Sequence, residues 1–90
     1  MVKENTRPER ESSSDSTNKS SLVVYNDDTN TFEHVIDTLI KVCNHDPVQA
    51  EQCTMIIHHK GKCVVKSGSK EVLKDMSKKI HERNITVRVE

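Results

Sequence analysis

Pro47 and Gly61 fix the two ends of a helix in the middle of this chain, and everything before and after must be arranged around it. Asp46 supplies a side-chain oxygen for the orphan amides of a first turn, Pro47 is preset at the φ of a first helical residue, and Gln49 stands three residues after the cap. At the other end Gly61 takes the left-handed conformation that closes a helix without steric cost. A helix from Pro47 to His59 or Lys60 follows. Its inner stripe is Ala50, Cys53, Thr54, Ile57 and His58, thin and polar toward the C-terminus.

Upstream, Ser21-Leu22-Val23-Val24-Tyr25 is β-branched and aromatic and ends at Asn26-Asp27-Asp28, the punctuation of a short strand. Asn30-Thr31-Phe32-Glu33 has the form of a capping box, with Asn30 as the cap and Glu33 reaching back. The helix it starts carries Phe32, Val35, Ile36, Leu39, Ile40 and Cys43 on one apolar stripe. Downstream, Lys62 to Lys66 reads as a strand between Gly61 and Gly68. Ser69 then caps a helix that turns Val72, Leu73, Met76 and Ile80 inward and ends at Asn84. Ile85-Thr86-Val87-Arg88-Val89 alternates with period two, a strand with one buried face. The order β-α-α-β-α-β predicts an α+β two-layer sandwich, a three-stranded sheet with three helices on one face.

Ninety residues make one domain with a modest core. Residues 1–20 hold four basic and four acidic residues, five serines and almost no aliphatic side chain, too little apolar surface to offset the entropy of ordering them. They are expected to be a disordered tail, with the folded domain over residues 21–90. Fourteen basic residues balance fourteen acidic ones, so the basic stripe that nucleic-acid backbones require is missing. No apolar run approaches the roughly 20 residues of a membrane span. Cys43, Cys53 and Cys63 are an odd set without a Cys-x-x-Cys pair or a preceding apolar signal segment, which reads as reduced thiols in a cytoplasmic protein.

Asn26, Asp27 and Asp28 admit two readings. They are turn residues that satisfy loop amides, or, with capping already assigned to Asn30, they are spare acceptors that hold a cation or an ammonium group. His58 likewise is either a core histidine with one backbone partner or a ligand-facing one, while His59, about 100° further round the helix, faces solvent. Cys-x4-His-His-x3-Cys matches no common zinc framework, and adjacent histidines on a helix face apart, so no metal is expected. No nucleophile is paired with a base by motif, two glycines make no phosphate loop, and no enzyme or cofactor reading survives.

The stretches VVYNDDTNTFEHVIDTL and QAEQCTMIIHHKGKCVV, the capped helix and the closing ITVRV resemble the ClpS family, adaptors of the Clp ATP-dependent protease. The likeness runs from Leu22 to Glu90, and its distinctive pair is Asn-Asp-Asp after the first strand and a helix ending in His about thirty residues later. It implies a ClpS-like fold and a non-catalytic adaptor. Such an adaptor binds proteins that begin with Phe, Tyr, Trp or Leu and hands them to a Clp AAA+ unfoldase of the ClpA or ClpC type, acting as a monomer without nucleic acid or membrane. By the same resemblance, Asn26, Asp27 and His58 meet the substrate's α-amino group. Phe32, Val35, Thr54, Ile57 and Ile85 wall the pocket for its first side chain, although spacing alone makes these five ordinary core. Glu71, with Lys70 or Lys74, meets the unfoldase, and the tail assists delivery. Thr54 stands where the family has methionine, Thr29 and His59 where tyrosine is common, and Met76 where a lysine is expected. The competing reading is a small structural or regulatory α/β module without a peptide pocket.

Overall fold

The computed structural model describes residues 19–90, so all of the expected tail except Lys19 and Ser20 lies outside the described residues. Six elements follow one another: β1 (Lys19–Tyr25), α1 (Phe32–Cys43), α2 (Pro47–Lys60), β2 (Lys62–Ser69), α3 (Lys70–Glu82) and β3 (Val87–Val89). The order is that expected from the sequence. β1 is central in the sheet β2-β1-β3, and both of its pairings are antiparallel.

Period-two alternation places Leu22 and Val24 against the helices, where they join Val35, Leu39, Cys43, Ala50, Ile57, Val65, Leu73, Ile80 and Ile85 in one core. Full burial of each large aliphatic side chain is worth about 1.5–3 kcal/mol. Two buried threonines interrupt this core without an orphaned hydroxyl: Thr38 donates to the His34 carbonyl and Thr54 to that of Ala50, each at 2.8 Å.

The strands depart from the expected bounds. β1 begins at Lys19, because Lys19 and Ser20 pair with Ser69 and Gly68 on β2, which runs three residues past Lys66. The last strand keeps only Val87–Val89, although the Tyr25 amide still donates to the Thr86 carbonyl at 2.9 Å. Between Leu22 and Val23 the register of β2 slips, leaving Val65 as a bulge. His45, at the corner between α1 and α2, caps that bulge: its Nε2 donates to the Val65 carbonyl at 2.7 Å, and Lys66 Nζ reaches the Cys43 carbonyl at 3.3 Å.

Asp46 and Ser69 cap their helices as expected, accepting from Gln49 N at 2.9 Å and Val72 N at 3.4 Å, and Gly61 closes α2 with φ 93°. The cap of α1 is Thr31, whose Oγ1 accepts from His34 N at 3.1 Å, so the expected Asn30–Glu33 capping box does not form. Asn30 instead donates its carboxamide to the Asn84 carbonyl at 2.9 Å, drawn to a partner far away in sequence. Val72 is not on the inner face but 54% exposed, since the core position is its neighbour Leu73, one helical step of about 100° away.

Candidate functional site

The site forms where β1 ends. The Asn26 amide donates to the Gly61 carbonyl at 2.8 Å, tying the β1–α1 loop to the end of α2, and the Asn30–Asn84 bond ties the same loop to the segment before β3. A small hollow of about 40 Å³ opens between these three elements. That is far below the roughly 300 Å³ of a small-molecule pocket.

All eight residues that the resemblance assigns to substrate line this one hollow: the polar Asn26, Asp27 and His58, and Phe32, Val35, Thr54, Ile57 and Ile85. Val35, Thr54, Ile57 and Ile85 are buried, and Phe32, 37% exposed, is the wall nearest solvent. Tyr25, Asn30 and Thr31 also line it and were not foreseen. Asp28 is exposed and does not line it.

Both readings of Asp27 find support in its contacts. Oδ1 holds the turn, accepting from Thr29 N at 2.9 Å and Thr29 Oγ1 at 2.7 Å, whereas among the described residues Oδ2 has only the Thr86 hydroxyl at 3.4 Å. The Thr29 hydroxyl first and then the Thr29 amide hold the carboxyl below its ordinary range against desolvation, with a smaller contribution from Thr86. Asp27 is therefore an anion across neutral and mildly acidic pH, with acceptor capacity left on Oδ2. An Asp with Thr two residues on is the sequence signal for this turn. Asn26 Oδ1 accepts from the Asp27 amide at 3.0 Å.

His58 is exposed in the last turn of α2, not buried in the core, and it faces the hollow from its rim. Its ring meets Phe32 edge to face, with centroids 5.4 Å apart and an interplanar angle of 73°. Among the described residues the ring makes no hydrogen bond. Glu71, Lys70 and Lys74 are exposed at the start of α3.

Among the described residues no three His, Cys, Asp or Glu side chains are grouped to hold a metal. Burial pushes the Cys43 thiol up to about 11, and burial with the neighbouring Cys53 pushes Cys63 up to about 11, so both are protonated thiols at neutral pH. No described helix is long and apolar enough to cross a membrane.

A family model described as ATP-dependent Clp protease adaptor protein ClpS matches residues 15–87. Comparison with curated proteins gives no match. Eighteen chains of solved structures are similar. One of them, Agrobacterium tumefaciens ClpS2 bound to L-phenylalaninamide, is 20% identical, with a TM-score of 0.67 over 81% of this chain and 98% of that one. At that identity the likeness is one of fold.

Proposed function

The chain belongs to the ClpS family of ATP-dependent Clp protease adaptors, and on that premise we propose that it binds proteins through a bulky hydrophobic first residue and delivers them to a Clp unfoldase without catalysing a reaction. The observation that carries this reading is the hollow itself, lined both by acceptors and by apolar side chains. An α-ammonium group is a pure donor, so its site must offer acceptors: the Asp27 carboxylate for charge, the Asn26 carboxamide oxygen, and a His58 nitrogen directly or through water. Loss of one charged partner weakens such a contact about tenfold or more.

The apolar wall then selects the side chain. A Leu or Phe side chain transferred from water gains roughly 1.5–3 kcal/mol, enough to reject a small polar first residue by at least about tenfold. Agrobacterium ClpS2 binds L-phenylalaninamide, a free amino group on a large aromatic residue, and the same pairing of features suits this hollow. Glu71, with Lys70 or Lys74, faces the unfoldase, of ClpA or ClpC type, and the first twenty residues assist transfer in the cytoplasm. Charge reversal at Glu71 is expected to abolish degradation of a Phe-initiated reporter by the Clp machine while leaving peptide binding intact.

The test is fluorescence anisotropy with a labelled peptide beginning with Phe, the same peptide N-acetylated, and one beginning with Ser. Micromolar or tighter binding of the first alone is expected. Binding of the acetylated peptide with equal affinity removes the ammonium from the mechanism. The engagement of Asp27 by Thr29 and Thr86 favours a second reading, in which the cluster is a turn in a structural or regulatory module. Amide NMR shifts around Asn26 and His58 that do not move with excess Phe-initiated peptide decide for that reading.

A further inference from the structure

We infer that Cys53 and Cys63 form a dithiol that closes to a disulfide under oxidising conditions, clasping α2 to β2 along the seam beside the hollow. Cys63 pairs with Val24 across β2 and β1, so its side chain stands on the helix-bearing face of the sheet, and both Cys53 and Cys63 pack against the core to which Val24 belongs. Gly61 turns the chain directly from α2 into β2, and the two elements pack along one another. A strand advances about 3.3 Å per residue and a helix about 1.5 Å, so the first residues of β2 return past roughly five of α2 and bring Cys63 level with the middle of that helix. Ile56, about one turn after Cys53 on the same flank of α2, lines a cavity together with Cys63.

The two thiols are hydrogen-bond neighbours. Burial first, and then the Cys53 sulfur as a charge and as a hydrogen-bond partner, hold the proton on Cys63, whose Sγ also lies 3.4 Å from the Val64 carbonyl. Both residues are partly exposed, so a small oxidant reaches them, whereas Cys43 is fully buried. Neither lines the hollow, although Cys53 immediately precedes Thr54, and the Gly61 carbonyl that holds the Asn26 amide lies between the pair in sequence. The clasp therefore ties down the wall of the hollow without entering it. Glutathione disulfide is a sufficient oxidant. The Cys53 thiolate attacks one of its sulfurs, the S–S bond breaks, and a glutathione thiolate leaves and is protonated. Cys63, which keeps its proton longer, reacts second: it gives that proton to solvent, its sulfur attacks the Cys53 sulfur, and the second glutathione thiolate leaves. The pair loses two electrons and two protons, and glutathione disulfide is reduced to two glutathiones.

The test treats the full reduced chain with excess glutathione disulfide, blocks the remaining thiols with N-ethylmaleimide and maps the unreduced peptides. An intramolecular bridge between Cys53 and Cys63 is expected, the chain lighter by two hydrogens, with Cys43 alkylated only after unfolding and dithiothreitol restoring the starting mass. Cys63→Ser is expected to stop with one glutathione on Cys53, and Cys53→Ser to stay mostly unmodified. The oxidised chain is expected to melt about 3–8 °C above the reduced one, because a bridge closing about ten residues restricts the unfolded chain. That shift is expected to vanish in Cys63→Ser. A bridge that includes Cys43, a bridge between two chains, glutathione left on Cys53 and Cys63 without closure, or a lower midpoint after closure overturns the clasp.

Discussion

The rings of Phe32 and His58 meet edge to face, 5.4 Å apart, joining the start of α1 to the end of α2 across the mouth of the hollow. Phe32 therefore closes the site more than it supports the fold, being 37% exposed and outside the core cluster. Phe32→Ala is expected to weaken binding of a Phe-initiated peptide about tenfold, by loss of wall area, and to move the thermal midpoint by no more than a few degrees. Phe32→Leu keeps most of the affinity. Anisotropy and thermal melts on the same samples check both, and a large fall in midpoint with unchanged affinity contradicts this assignment.

Asp27 gives the pH dependence. Its carboxyl is held below the ordinary value of 3.8 by Thr29 and Thr86, so it is charged throughout the range in which a peptide α-amino group, titrating near 7.7–8.0, is protonated. Affinity for a Phe-initiated peptide is expected to fall as pH rises through about 8. On the acid side the Asp27 contribution holds until pH drops through its lowered folded value. The same sign governs stability: the carboxylate contribution to the turn is present above the unfolded value and lost as pH falls through the folded one. Asp27→Asn keeps an oxygen for Thr29 and loses the charge. It is expected to weaken binding tenfold or more with the turn intact by NMR, whereas Asp27→Ala loses both.

His45 is expected to be the most costly polar substitution in the core. It is 4% exposed, and its Nε2 is the partner of the Val65 carbonyl at the β2 bulge, while among the described residues Nδ1 has none. His45→Ala leaves that carbonyl orphaned and opens a cavity, about 2–4 kcal/mol in all. Urea unfolding measures it. A loss under about 0.5 kcal/mol means that water or a shifted strand replaces the ring.

Local chemistry made the fold legible. Asp46 with Pro47, Gly61 and Ser69 act through neighbours one to four residues away, and all three helix boundaries they mark are where spacing puts them. What was not legible depends on distant partners. Asn30 and Thr31 are both competent caps, and the choice falls to Thr31 because Asn84 takes the Asn30 carboxamide. The Val65 bulge has its partner in His45, twenty residues before it. His58 sits on the expected stripe, yet it is exposed at the end of α2 with only the Phe32 ring against it, and periodicity carries no information about how much of a stripe its neighbours cover. The polar residues of the hollow stood out by type; the five apolar ones resembled core and were singled out by family pattern alone.

Thr54 tests whether the polarity of the wall limits affinity. It is 3% exposed, lines the hollow, and its hydroxyl donates back to the Ala50 carbonyl one turn earlier at 2.8 Å. That carbonyl is already an acceptor within the helix, so removing the hydroxyl leaves no orphan acceptor. Thr54→Val keeps the shape and replaces the hydroxyl by a methyl facing the same space. Stability is expected to change by less than about 1 kcal/mol in either direction, and affinity for Leu- and Phe-initiated peptides to rise about twofold to fivefold as the wall becomes apolar. Anisotropy with both peptides decides it. Unchanged affinity would mean that the hydroxyl, turned to Ala50, never faces the bound side chain, leaving Phe32, Val35, Ile57 and Ile85 to form the wall without it.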